Sequence, residues 1–156
     1  MTEQISQTDL HILSILQKDA SLSSAEIAEQ INLSPSPCWR RINKLEQGGY
    51  IRKRVALLDP EKLNLGVIVF ASVTLANNDE PSLEEFETII SSYDEVVECY
   101  TVTGTMDYLL KIVTRDIKHF EKFLRKHLLH MPLVREVHSN VAVTQIKYTT
   151  ELPLRV

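Results

Sequence analysis

The hydrophobic pattern of the chain changes period once, across the polar segment Asp59-Pro60-Glu61-Lys62-Leu63-Asn64-Leu65-Gly66, and that change limits the fold more than any single motif. Before it, apolar residues recur at helical spacing. After it, β-branched runs alternate with helical stretches. The segment, with its Pro and Gly, reads as a linker over 59–66, separating a first domain over 1–58 from a second over 67–156. At 156 residues the chain is long enough for one ordinary domain or two small ones, and a unit of roughly 60 residues is near the lower size at which a core sustains itself.

In the first domain, Leu10, Leu13, Ile15 and Leu16 give one helix running to about Lys18, opened by Gln7 or Thr8 with Asp9 in its first turn. Ser23 and Glu26 form a capping-box pair for a second, short helix with Ile27, Ala28 and Ile31 inward. Ser34 suits the cap of a third helix and Pro35 its first position, where a missing N–H costs nothing. Cys38, Ile42 and Leu45 are its buried stripe, and Gly48-Gly49 ends it. Two helices of this size joined by a tight turn form a helix-turn-helix, whose second member enters the major groove of double-stranded DNA. Tyr50 to Leu58 reads as a β-strand, the wing of a winged version.

Charge supports that reading locally. The formal net charge is -4, yet residues 38–54 carry Arg40, Arg41, Lys44, Arg52, Lys53 and Arg54 against Glu46 alone. Phosphate contact needs such a concentration. The candidate DNA-binding residues are therefore Ser34, Ser36, Pro37, Trp39, Arg40, Arg41 and Lys44 on the third helix, with Arg52, Lys53 and Arg54 after it. A run such as Arg52-Lys53-Arg54 is by itself often only a solvated surface, and a tryptophan in a small domain is often core or interface.

The second domain reads β-α-β-β-α-β. Val67 to Leu75 is a strand. Ser82 caps a helix with Leu83, Phe86, Ile90 and Tyr93 inward. Val96 to Thr103 and Tyr108 to Thr114 are strands joined by Gly104-Thr105-Met106-Asp107. Asp116 opens a helix with Ile117, Phe120, Leu124 and Leu128 inward, Met131-Pro132 stops it, and Val134 to Lys147 contains the last strand. This order is the ferredoxin-like pattern, so the whole chain is α+β: a winged helix-turn-helix followed by a ferredoxin-like domain of the RAM type. Both helices cover one sheet face; Ile68 and Phe70 fall on the other, and a second copy of the domain is its natural cover.

The two halves together resemble the Lrp/AsnC regulators. The resemblance is carried by Asp9-Leu10-His11-Ile12-Leu13-Ser14-Ile15-Leu16-Gln17, by Leu33 to Glu46 around Ser34-Pro35-Ser36-Pro37-Cys38-Trp39-Arg40-Arg41, by Gly49-Tyr50-Ile51, and by Val102 to Leu110. It implies sequence-specific transcriptional control in a bacterial cytoplasm, in association with the nucleoid. It also implies homodimers that assemble into octamers or similar rings, and an amino acid such as leucine, methionine or cysteine as effector, bound at contacts between dimers. On the same ground Gly104, Thr105, Met106 and Asp107 border the effector site, with Tyr100, Thr103 and Tyr108 beside them and Asn140 and Ala142 contributed by the last strand. A turn containing glycine lets backbone groups approach a ligand, and a carboxylate can hold an ammonium group. Asp107 has an alternative reading as a residue that merely orders the loop.

Other functions find less support. Cys38 and Cys99 stand alone without metal spacing and read as reduced, mostly buried thiols. His119, His127, His130 and His138 crowd one stretch, but no catalytic, phosphate-loop or metalloprotease signature accompanies them, so neither enzyme, metal site nor cofactor is expected. No run of about 18 apolar residues suggests a membrane span. The remaining alternative is an effector-binding or scaffolding protein without DNA binding, for which the basic third helix has no evident use.

Overall fold

The structure is a computed structural model that describes residues 5–155; the outer bounds expected for the two domains, residues 1 and 156, lie outside the described residues. The chain divides into two units, Met1–Leu57 with Lys147–Val156, and Leu58–Ile146.

The first unit contains α1 (Gln7–Leu16), α2 (Ser24–Gln30) and α3 (Pro35–Gln47). Ser6 caps α1, accepting from the Asp9 N–H, so the helix begins one residue earlier than Gln7 as cap implies and two earlier than Thr8 as cap implies. Its core residues are Ile12 and Leu16; Leu10, Leu13 and Ile15 are half-buried. The α2 capping box forms as expected: the Ser23 hydroxyl accepts from Glu26 N–H at 3.3 Å and the Glu26 carboxylate accepts from Ser23 N–H at 2.7 Å. Because Ser23→Ala removes one acceptor for an otherwise unpaired helix-end N–H, it is expected to lower the unit's stability by about 1 kcal/mol in chemical denaturation. Ile12, Leu16, Ile27, Ala28, Cys38, Ile42 and Leu45 close one core.

Two expectations are corrected here. Tyr50–Leu58 forms no β-strand: Tyr50 and Ile51 bend back to donate to the Leu45 carbonyl at the end of α3, residues 52–58 join no β-ladder among the described residues, and Val55, Leu57 and Leu58 are 58%, 62% and 72% exposed. The second domain also does not keep the chain to its end. Lys147–Val156 lies in the first unit, where the Gln17 side-chain amide donates to the Leu152 carbonyl at 3.1 Å and accepts from Leu152 N–H at 2.9 Å. The segment expected as linker forms a turn at the start of the second unit, with Asp59 Oδ1 accepting from Glu61 N–H and Leu65 N–H donating to the Pro60 carbonyl.

The second unit is one antiparallel sheet of β1 (Val67–Leu75), β2 (Val96–Thr101), β3 (Tyr108–Thr114) and β4 (Val134–Val141) in the order β2-β3-β1-β4, with α4 (Glu80–Ser91) and α5 (Ile117–Phe123) as its helices. This is the ferredoxin-like arrangement. Alternation decides the faces: Val69, Ala71 and Val73 of β1 and Tyr108, Leu110 and Ile112 of β3 are buried with Phe86, Ile90, Phe120 and Phe123, while Ile68 and Phe70 fall on the opposite face, where Phe70 is 39% exposed. Asp79 rather than Ser82 caps α4, because an aspartate accepts the Ser82 N–H and Pro81 fits the first turn. α5 gives way after Phe123 to a π-helical turn, Leu124–Leu129; the buried positions are Phe120, Phe123 and Leu128, and Ile117, the first residue of α5, is 52% exposed. Cys38 is buried as expected, but Cys99, on the edge strand β2, is exposed.

Candidate nucleic-acid interface and effector loop

The turn between α2 and α3 is short because Asn32 takes a left-handed conformation (φ 54°) and Leu33 N–H returns to the Ala28 carbonyl at 2.8 Å. Ser34 occupies the cap of α3 without a side-chain cap bond. The cause is local: the third helical position is Pro37, which has no N–H to offer a capping hydroxyl. Ser34 and Ser36 therefore stay exposed at the start of a helix whose inner face, Cys38, Ile42 and Leu45, is anchored in the core.

On the outer face Trp39 is 57% exposed, so it is not a core residue, and Arg40 and Lys44 are exposed beside it. Pro37 is half-buried. Arg41 turns the other way. Its guanidinium donates to Asp9 Oδ1 at 2.9 Å and to Ser6 Oγ at 3.3 Å, tying α3 to α1. Burial acts to raise the Asp9 pKa, but the Ser6 and Arg41 hydrogen bonds outweigh it and hold the carboxyl below the usual 3.8. The ion pair thus stabilises the unit above that pH and disappears only as acid drives protonation of Asp9 below it. Arg54 is likewise engaged, donating to Glu46 Oε1 at 3.0 Å and to the Ala20 carbonyl at 3.2 Å. Of the six cations, Arg40, Arg52 and Lys53 are exposed and make no ion pair among the described residues. Gln47 is exposed at seven residues beyond Arg40 and shares its stripe; charge patterning does not single it out because it carries no charge, although the heptad spacing marks it.

In the second unit, the loop after β2 is closed by Asp107. Val102 N–H donates to the Asp107 carbonyl at 3.0 Å, Asp107 N–H to the Val73 carbonyl at 2.9 Å, and Leu75 N–H to Asp107 Oδ2 at 2.8 Å. One carboxylate oxygen is thereby committed to the backbone of β1. Gly104 has φ 119°, a conformation that side chains disfavour, and Thr103 and Thr105 are exposed around it. Met106 is half-buried, its sulfur accepting from the Thr74 hydroxyl at 3.2 Å.

Of the other residues expected at the effector site, Tyr108 follows the loop directly, while Asn140 and Ala142 lie at the end of the last strand. Tyr108 points into the core, its ring 4.6 Å from that of Phe86 and its hydroxyl donating to Glu87 at 2.8 Å; burial and then Glu87 push its pKa well up. Asn140 pairs with Phe70 on edge strand β4, and Ala142 N–H donates to the Ile68 carbonyl. Tyr100, 53% exposed, pairs with Leu109 from the opposite edge strand β2. Three strand spacings separate the two edges, about 14 Å, so one chain does not bring Asn140 to Tyr100. His127, a candidate metal ligand in the rival reading, packs at tilted angles against Tyr93 and Phe123, and no group of three His, Cys, Asp or Glu among the described residues is placed to hold a metal ion.

Residues 5–52 match the description "Winged helix-turn-helix DNA-binding", and residues 68–152 match "Lrp/AsnC ligand binding domain". The chain belongs to the Lrp/AsnC family. Among its relatives, this Lrp/AsnC chain is 35% identical to the DNA-binding transcriptional activator DecR of Escherichia coli, over 96% of this chain and 99% of that one. An AsnC family transcriptional regulator from Agrobacterium tumefaciens is 45% identical with a TM-score of 0.92, covering 96% of this chain and 97% of its own. A transcriptional regulator of Neisseria meningitidis, solved as a complex with L-methionine, is 37% identical with a TM-score of 0.93 and 97% coverage of both chains. This Lrp/AsnC protein is a DNA-binding transcription regulator with a ligand-binding domain, built as a winged helix-turn-helix and an α+β unit. Among the described residues no helix is long and apolar enough to cross a membrane.

Proposed function

We propose that this regulator reads operator DNA with α3 and that an amino acid, bound to the second unit at contacts between subunits, sets how well it does so. The observation that carries the reading is the outer face of α3: Ser34, Ser36, Trp39, Arg40 and Lys44 exposed on a helix whose other face is fixed in the core. Arg40 suits the acceptor edge of guanine, and Gln47 an adenine edge or a phosphate. Arg52 and Lys53 lie on the extended segment after the helix and supply phosphate contacts, while Arg41 and Arg54 position α3 rather than touch DNA.

The effector carries both an ammonium and a carboxylate, which calls for backbone donors and acceptors close together. The Thr103 to Asp107 loop offers them around Gly104, and the likeness to a regulator solved with L-methionine favours a small α-amino acid such as methionine, leucine or cysteine. Asp107 holds this loop in shape. Asn140 and Ala142 join the site only if a second chain brings them to it. The open sheet face with Ile68, Phe70 and Tyr100 is the surface on which a homodimer forms, and dimers assemble further into an octamer or similar ring, within a bacterial cytoplasm and on the nucleoid. No catalytic step is assigned to the chain. The effector acts by its differential affinity for assemblies with different spacing of recognition helices.

The test is fluorescence anisotropy on the protein's own promoter with each of the twenty amino acids added. One or a few are expected to shift the binding curve; no shift from any of them contradicts the effector reading while leaving DNA binding standing. Asp107→Ala is expected to bind promoter DNA within about twofold of wild type. It should weaken the amino-acid response roughly tenfold, as befits the removal of a charged hydrogen bond of about 1.5 kcal/mol. An undiminished response removes Asp107 from the effector site.

A further inference from the structure

The helical side of the second unit holds a cavity of about 420 Å³ that the amino-acid reading does not use. Four cations surround it: Arg115, Lys118, Lys122 and Lys126. Lys118 and Lys122 are one helical turn apart on α5, and the wider π-helical turn over Leu124–Leu129 keeps Lys126 in line with them. Such turns recur at functional sites. Only Arg115 is offset, by Asp116 Oδ2 at 3.5 Å; Lys118, Lys122 and Lys126 make no ion pair among the described residues. The Asp116 carboxylate also caps α5 through the His119 N–H at 2.7 Å, and the other lining carboxylate, Glu95, faces His119 Nε2 at 3.5 Å. In a chain of net charge -4, this is a concentration of uncompensated positive charge around a hollow.

The wall is aromatic. Phe123 and His127 line the cavity, and the His127 ring packs at tilted angles, 4.4 Å from Tyr93 and 5.2 Å from Phe123. Ligand sites commonly have volumes of roughly 300–1,000 Å³. A row of ammonium groups beside the half-buried ring of His127 matches a chain of phosphates carrying a planar base. We infer that this cavity binds a polyphosphate anion, in the form of a nucleoside triphosphate, at a site separate from the amino-acid loop. Such a site goes beyond the proposed function and does not rest on it.

The test is calorimetric titration of the full chain, without DNA and with EDTA present, using ATP, AMP and inorganic tripolyphosphate. ATP is expected to bind, AMP more weakly because it offers fewer charges. Tripolyphosphate binding as well as ATP assigns the site to the phosphate chain; ATP binding better assigns a share to the base, and either supports the site. Lys118→Gln/Lys122→Gln, at two exposed positions, is expected to weaken ATP binding at least about 30-fold, since each charged contact is worth roughly tenfold. Lys62→Gln, outside the cavity, should match wild type. No binding of ATP or tripolyphosphate at millimolar concentration, binding that the double variant leaves unchanged, or an equal weakening in Lys62→Gln overturns the inference.

Discussion

A regulator carrying Arg40→Ala, Arg52→Ala and Lys53→Ala together is expected to bind its promoter roughly 10²- to 10³-fold more weakly than wild type, at about 1 to 1.4 kcal/mol per side chain. These are the cations of the basic stretch that are exposed and make no ion pair among the described residues. Their removal should reduce counterion release as well. The slope of log affinity against log salt is expected to become shallower by about 2.7, or roughly 0.9 for each phosphate no longer neutralised, and less where Arg40 meets a base. The fold should survive, because none of the three contributes to the core of Ile12, Ile27, Cys38 and Ile42. Arg41→Ala makes the contrast: it breaks the 2.9 Å ion pair with Asp9, so its effect should appear first in the stability of the helical unit.

Phe86→Ala is expected to cost the ligand-binding unit about 3–5 kcal/mol, measured by urea denaturation. Phe86 is fully buried on α4 and its ring meets that of Tyr108 at 4.6 Å, so truncation leaves a cavity between helix and sheet. That cost rivals the whole stability of a small domain, and the amino-acid response should vanish with it. The helical unit has its own core and is expected to keep its own transition. Tyr108→Phe keeps the ring and removes only the hydrogen bond to Glu87, so about 0.5–1.5 kcal/mol is expected there.

What the sequence disclosed followed from periodicity and from caps. The Ser23–Glu26 box, the Cys38, Ile42, Leu45 stripe and the alternation along Val67–Leu75 are local patterns, and each stands in the structure as read. What it concealed depended on partners distant in the chain. Arg41 and Arg40 are indistinguishable as letters, and only the approach of α1 assigns Asp9 to one of them. Tyr50–Leu58 has the composition of a strand, but a strand requires a neighbour to complete its hydrogen bonds. The last residues carry no pattern of their own and read with the second domain, whereas Gln17 holds Leu152 in the first unit. That the effector candidates lie on one loop and on two opposite sheet edges emerges only with the strand order, which is not written in strand composition. Tyr108 reads as the first residue of a strand, and only the family resemblance puts it at the effector site; the alternation of β3 sends its ring inward.

The central claim, that the outer face of α3 reads a specific operator, is tested most directly by fluorescence anisotropy of the wild-type protein and Arg40→Ala. Each is titrated on the promoter and on a scrambled duplex at two salt concentrations. Specific reading by α3 predicts that wild type prefers the promoter by about 10³-fold or more, that affinity falls steeply with salt, and that Arg40→Ala loses roughly 1–3 kcal/mol on the promoter but much less on the scrambled duplex. Equal affinity of the wild type for both duplexes, or an Arg40→Ala variant that keeps the full preference, contradicts it.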